Sequence, residues 1–406
     1  MFPLDAQLNL PAHGYSHRLQ KRVALKAVKA AFEGVANDIA VETGVRLGKR
    51  QVEEIVYAAA QDFDALYAQP CSDEVQRQAR AKPIQVLTFD GKGVVRRQEA
   101  LREATRKKAK ASPQSPPRVC ARQEKVHRKR MATVAGISHV DRHRRSPQTV
   151  ARQCAPLRLV PSQEKPVPKP VAKKLWASLA KPMKAVIEAG CAEGLRRDPE
   201  HQAAWVALVD GDATPIDSID KAAKSYGVTV VILLDIIHVL EYLWKAAKAL
   251  FDPEDPKGAQ WVADQIESLV QGRVNALVRR LRRSATLKGL SAKQRAPIDQ
   301  CATSLANHAS SLNSPCSLAQ GYPIATGVIE GACRSLVNDR MEITGARWGL
   351  EGGEAVLTLR ALSINGDGDA SWDFHEKQEY QRHHQAQCSA MPKARPHLQL
   401  ISGGQC

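Results

Sequence analysis

Three aspartates in this chain each close a short apolar run: Pro83–Asp90, Trp205–Asp210 and Val228–Asp235. Runs of that length and composition predict strands, the last of them apolar enough to be buried on both faces. Where parallel strands lie side by side, sites gather at their carboxyl ends. Carboxylates crowded there repel one another unless a cation sits between them. Mg²⁺ takes one or two carboxylates together with waters and substrate phosphate. Two such ions can activate a nucleophile and stabilise the leaving oxygen of a phosphodiester. A single aspartate at a strand end more often serves a turn or caps a helix. Three of them, with Glu330 on a later predicted helix, shift the reading toward metal chemistry. The stretch from Asp90 through Gly91 and Lys92 to Gly93 reads as a phosphate-binding turn, but it lacks the spacing of a nucleotide P-loop.

The charge balance names a partner for such chemistry. Lys and Arg number 59 against 42 acids in 406 residues, a formal net charge of +17. An excess of that size favours a polyanion, most often nucleic acid. It is also concentrated: Lys92–Arg158 holds 19 Lys or Arg and four acids. A block of this kind is a phosphate-facing surface or a basic arm. The nine cysteines include no C-x-x-C pair, which argues against a zinc ribbon or a disulfide framework. No signal peptide and no membrane span is expected, since the longest apolar run, Val228–Leu234, is far too short. The expectation is a cytoplasmic, nucleoid-associated protein.

The elements that must position these residues follow from periodicity. Residues 1–80 read as helical, with Leu25, Val28 and Phe32, then Ile39, then Val52, Ile55 and Val56 at helical spacing. Ala36 to Val45, followed by Lys49, Arg50 and Gln51, resembles a helix-turn-helix, or a plain helical bundle with a glycine turn. Residues 81–238 read as an α/β region. It holds a strand ending at Asp90, further strands at about 93–97 and 128–138, a basic loop at about 98–125 and a Pro-rich linker at 156–170. A helix over Leu175–Leu195 and the strands ending at Asp210 and Asp235 complete it. Residues 239–320 read as all-helical, with one apolar stripe through Val262, Ile266, Leu269, Val270, Leu277 and Leu281, ending among Arg279, Arg280, Arg282 and Arg283. Helices are expected from about Gly327 to Asn338 and from Gly352 to Leu362, within 321–365. Residues 366–406 are expected to form a polar, disordered tail.

Two segments are more specific. One runs from Leu234 through Asp235, His238 and Glu241 to Trp244. The other runs from Ala325 through Glu330 and Gly331 to Asn338, Arg340 and Met341, and on to Gly345, Arg347, Trp348 and Gly349. Together they resemble the ISKra-type insertion-sequence transposases, of the DDE transposase group with Mutator-like relatives. The resemblance spans roughly Tyr15 to Leu362. It implies a ribonuclease H-like core whose catalytic, metal-holding acids match Asp90, Asp210 and Glu330, with two Mg²⁺ or Mn²⁺ ions. Asp235 and His238 match a supporting Asp-x-x-His element, and Val239–Ala309 matches an all-helical insertion. The resemblance also leads one to expect more amino-terminal sequence, and it does not extend to 107–122 or to the residues after Tyr380.

The activity implied is cleavage at element ends and strand transfer into target duplex DNA, with synapsis requiring a homo-oligomer on DNA. Two alternatives stay open: a ribonuclease H-like nuclease without strand transfer, and an inactive DNA-binding remnant. Periodicity alone does not choose between Asp210 and Asp235 as the second acid. Gly211 and a preceding helix favour Asp210, while Asp235 is placed to cap a helix and orient His238. By itself, a histidine after an apolar strand is more often a packed core residue than a ligand. Lys49, Arg50, Arg128, Lys129, Arg130, Arg334, Arg340 and Arg347 are the candidate DNA contacts; for Arg334, Arg340 and Arg347 the alternative is a solvated helix face.

Overall fold

The computed structural model describes residues 3–385, apart from 12–13, 98–99, 102, 104–106, 108–128, 155–165, 253, 313, 326 and 344. Most of the basic loop, much of the Pro-rich linker, Arg128 and the last 21 residues therefore lie outside the described residues. The chain forms two compact units, one of residues 1–68 with 366–406 and one of residues 69–365.

The first unit begins with α1 (Pro3–Gln7), α2 (His17–Ala27), α3 (Phe32–Thr43), α4 (Lys49–Ala60) and α5 (Phe63–Tyr67). Val23 and Ala27 of α2, Val35 and Ile39 of α3, and Val52, Ile55 and Val56 of α4 are buried together as a small core. Gly44 ends α3 with φ 74°. That left-handed conformation is the one glycine adopts without a Cβ penalty, and it turns the chain into α4. The expected glycine turn is therefore present.

The second unit is a mixed α/β structure. Its elements are α6 (Asp73–Arg80), β1 (Ile84–Val95), β2 (Lys129–Val140), α7 (Pro147–Cys154), β3 (Val171–Ser178), α8 (Met183–Arg197), β4 (Ala204–Val209), α9 (Ala213–Tyr226) and β5 (Val230–Leu234). The five strands form one sheet in the order β3-β2-β1-β4-β5. β1 pairs antiparallel with β2, and β2 with β3, whereas β1–β4 and β4–β5 are parallel. α10 (Ile236–Leu250), α11 (Pro256–Val270), α12 (Val274–Leu287), α13 (Ala292–Asn307), a short 3₁₀ turn (Ala309–Leu312) and α14 (Ser314–Gln320) follow. They bury their own core, including Leu243, Ile266, Leu269, Leu277, Leu281, Ile298 and Leu305. The chain then returns to the sheet through α15 (Gly327–Ala332), a π-helical turn (Cys333–Asn338), α16 (Asp339–Met341) and α17 (Leu350–Asn365). Among the described residues no helix is long and apolar enough to cross a membrane.

Three expectations need correction. The first strand does not end at Asp90. It runs on to Val95, paired residue by residue with β2 as far as Lys129. Gly91 and Gly93 looked like a turn because both are glycine. Here they sit inside the strand, where an added Cβ would come within 3.1 Å of the Met131 side chain and 2.9 Å of the Lys129 side chain. Second, the helix expected over Leu175–Leu195 is a strand followed by a helix. Leu175, Trp176 and Ala177 are buried in β3, and Pro182 caps α8, which begins at Met183. Proline suits a helix start and holds the residue before it extended, so the helix cannot reach back across it.

Third, residues 366–385 are not a disordered tail. Gly368–Tyr380 is a helix, α18, followed by a π-helical turn over Gln381–Gln385. In the first unit the Asp62 carboxylate accepts from His375 Nδ1 at 2.7 Å and from the Arg382 guanidinium at 2.6 and 2.8 Å. Burial pushes the Asp62 carboxyl up, but the hydrogen bonds from Arg382 and His375 outweigh it and hold the group below its usual range. Polar composition suggested disorder here. The paired charges, together with a buried Trp372, supply the packing that composition does not reveal.

Candidate active site

Strand register brings the acids together. In the β1–β4 ladder Thr88 stands opposite Leu208, and in the β4–β5 ladder Val209 stands opposite Leu234. Continued outward, the same registers set Asp90 beside Asp210 and Asp210 beside Asp235, in one row just past the parallel ladders. Neighbouring residues in register point to the same face, so the row shares the face that carries Val86, Leu208 and Leu233. The reason lies in the spacing of the sequence: Asp90 and Asp210 each stand two residues past the Thr88–Leu208 pair, and Asp210 and Asp235 each one residue past the Val209–Leu234 pair.

The three differ in surroundings. Asp90 and Asp210 are half-buried, and Asp235 is 3% exposed. Asp235 is the N-cap of α10, accepting from Ile237 N at 2.9 Å. Asp210 Oδ1 accepts from Asp212 N at 3.0 Å, and its other oxygen has no protein partner among the described residues. Asp90 Oδ1 accepts from Gly91 N at 2.6 Å, and its Oδ2 accepts from the Cys333 thiol at 3.0 Å.

That thiol ties the helix of Glu330 to β1. Glu330 lies exposed in α15, and Cys333 follows three residues later, one helical turn along, buried against Asp90. Burial pushes the Cys333 thiol well up, and the hydrogen bond and charge of Asp90, with the charge of Glu330, push it further. It therefore stays protonated and donates. The helix changes from α to π at Cys333. Such turns free backbone carbonyls. Here the buried Arg360 guanidinium answers them, donating to Leu336 O at 2.8 Å and to Ser335 O.

The donor set is all oxygen, which suits Mg²⁺ or Mn²⁺. Among the described residues no three His, Cys, Asp or Glu converge closely enough to cage an ion by themselves. Mg²⁺ keeps several waters and binds through one or two carboxylates plus substrate phosphate, so Asp90 and Asp210 could hold it without a third protein ligand.

The other candidate residues fall into distinct places. His238 is on the first turn of α10, half-buried. Arg334 is exposed, with Asp339 3.7 Å away, and Arg347 is exposed. Arg340 is not a surface cation: it is 2% exposed, with its guanidinium 4.8 Å from the centre of the Trp348 ring. Burial, with help from the Arg360 charge, pushes it down to about 10. Its alternation with Arg334 and Arg347 hid this, because periodicity does not register a cation stacked on an aromatic ring. Lys129 is exposed and lies 3.5 Å from Glu342, while Arg130 donates to Ala180 O at 3.0 Å. Lys49 and Arg50 are exposed at the start of α4, where Arg50 pairs with Glu54 at 3.1 Å.

Two further residues had gone unnoticed in the sequence: Cys333, which touches Asp90, and His308, which lies against Gly211, the residue after Asp210. Cys333 was detectable in principle, standing one turn from Glu330. His308, described below, carries no local signal. Among known proteins, the chain matches no family model and no curated protein.

Proposed function

We propose that the chain is a DDE-type DNA transposase of the ISKra type, with Asp90, Asp210 and Glu330 as its catalytic acids. The observation that carries this reading is the shared register row of Asp90 and Asp210, joined to the Glu330 helix by the Cys333–Asp90 hydrogen bond. The strand order, three antiparallel strands followed by two parallel ones, with an all-helical segment between Asp210 and Glu330, supports a ribonuclease H-like core.

Asp90 and Asp210 would hold the divalent ions, with Glu330 brought in from its helix. When bound, the ions supply charge neutralisation for in-line displacement at phosphorus. The chain's own part is positioning. The two strands fix the aspartates, Cys333 restricts the Asp90 carboxylate, and the exposed Arg334 and Arg347 can meet phosphate oxygens. The amino-terminal α3–α4 pair, with Lys49 and Arg50 leading α4, is the proposed reader of element ends. Synapsis of two ends would require a homo-oligomer.

The second unit offers a further phosphate surface. α12 contains no acid, and its exposed face carries Arg279, Arg282 and Arg283. Changing these three to Ala should weaken binding to any duplex about equally. The slope of log affinity against log salt should become shallower by about 2–3, at roughly 0.9 per lost phosphate contact. An unchanged slope on a titration from low to moderate salt would remove this helix from the interface.

The test of the reading is a joining assay. Duplex carrying the DNA that flanks the gene is incubated with the protein, Mg²⁺ and plasmid target, and junctions are sequenced. Covalent end-to-target junctions are expected. Cleavage without junctions would make the protein a nuclease of the same core. DNA binding with neither product would make it a remnant.

A further inference from the structure

The feature not used by that mechanism is His308, at the carboxyl end of α13. Its Nδ1 lies 2.7 Å from the carbonyl oxygen of Ser304, one turn earlier in the same helix. A carbonyl can only accept, so Nδ1 carries the proton and the neutral ring presents a lone pair at Nε2. Nε2 has no protein partner among the described residues, and the ring is half-buried.

Its place is set by Gly211. This residue follows Asp210 directly and has φ +99°, a conformation that side chains rarely adopt. A Cβ built there would stand 2.9 Å from Leu234 and 3.2 Å from both Cε1 and Nε2 of His308. Leu234 lies closest to the missing side chain, and the imidazole edge lies just beyond it. An element 97 residues downstream of Gly211 is brought against the end of β4, at the residue that follows Asp210 in the chain. The 3₁₀ turn that follows His308 packs against β5.

We infer that His308 is a further catalytic residue of the site, whose Nε2 accepts a hydrogen bond from the attacking water or 3′-hydroxyl and orients it toward the phosphorus. The inference rests on the transposase reading of the Asp90 and Asp210 row. A pinned Nδ1–H, a free Nε2 and a glycine that admits the ring edge amount to a preorganised acceptor. A histidine serving only to fill space needs neither the fixed tautomer nor the opening at Gly211.

The test compares the full-length wild type with His308→Ala and His308→Gln. Nicking of flanking-DNA duplex is followed with Mg²⁺, and kcat and KM are separated. His308→Ala is expected to lose about 100-fold in kcat with KM within about threefold. His308→Gln, whose amide oxygen can still accept, should recover part of that loss. An activity-independent reading accompanies it: long-range ¹H–¹⁵N spectra, with the His308 ring identified by its disappearance in His308→Gln. The free protein should show the Nδ1–H tautomer, and Nε2 should shift when duplex is added with Ca²⁺ in place of Mg²⁺. Wild-type kcat in His308→Ala, or an Nε2 resonance that ignores duplex, would overturn the inference while leaving the reading of the acids intact. Failure of the wild type to nick would count against that reading, and the resonance would then decide on His308 alone.

Discussion

Asp210→Asn is expected to fold as the wild type does and to lose metal-dependent cleavage, by three orders of magnitude or more. Asp210 is half-buried, caps nothing, and has one oxygen without a protein partner among the described residues. Its charge therefore does little for the fold. At the site, the same charge is one of two that strand register brings side by side, and a neutral amide oxygen binds a hard cation more weakly and leaves its charge uncompensated. Asp235→Asn should behave in the opposite way. Asp235 is buried and holds Ile237 N at the start of α10. Asparagine caps a helix about as well as aspartate, so the Asn variant should melt close to wild type and keep much of its activity, whereas Asp235→Ala, which removes the cap, should cost on the order of 1 kcal/mol. Thermal melts with and without Mn²⁺, beside a nicking assay, separate the two. If Asp235→Asn abolished the Mn²⁺-induced shift and Asp210→Asn kept it, Asp235 would be the second acid.

The largest effect on stability should come from a residue far from the acids. Glu193 of α8 is 3% exposed and faces three cations: Lys174 at 3.1 Å, Arg196 at 2.6 Å and Arg197 at 2.8 Å. Arg197 is itself 2% exposed on its side chain and reaches on to Ala172 O in β3. The cluster ties α8 to the edge strand of the sheet. Glu193→Gln keeps the shape but leaves Arg197 and Lys174 buried without a counter-charge. Breaking a buried pair from one side costs about 3–5 kcal/mol, which corresponds to a fall of about 10 °C in melting temperature for a unit of this size. The pH dependence carries the same signature. Burial pushes the Glu193 carboxyl up, but Lys174 and Arg197 outweigh it and hold it below its usual value. Its contribution is then complete above the unfolded pKa, about 4.3, and is lost as pH falls through the lower folded value. Wild type should lose stability on that descent, and Glu193→Gln should lose much less. A melting temperature within 2 °C of wild type at pH 7 would mean that the cations find other partners.

What the sequence made legible, and what it hid, divides along physical lines. The three aspartate-terminated runs were visible because a buried strand needs an unbroken apolar stretch. Their shared register also follows from spacing, once the strands are known to be parallel neighbours. The helical segment after Asp235 was visible from its stripe, and all six of its marked residues, from Val262 to Leu281, are buried. The continuation of β1 beyond Asp90 was hidden by Gly91 and Gly93, whose meaning depends on what crosses above them. β3 was hidden because Lys173 and Lys174 break its apolar pattern, and Lys174 is buried only by virtue of Glu193. α18 was hidden because its burial rests on charges paired with Asp62, more than 300 residues away in sequence. Cys333 reaches Asp90, and His308 reaches Gly211, only through tertiary contacts, which no local pattern encodes.

The central claim is that Asp90, Asp210 and Glu330 together support metal-dependent scission of DNA. The most direct measurement is nicking of supercoiled plasmid carrying the flanking DNA, by wild type and by Asp90→Asn, Asp210→Asn and Glu330→Gln, in Mn²⁺ and in EDTA. The expected result is nicked product with free 3′-hydroxyl ends for wild type in Mn²⁺ alone, and none for any variant that still melts within a few degrees of wild type. Nicking that persists in EDTA, or that survives in all three folded variants, would contradict it.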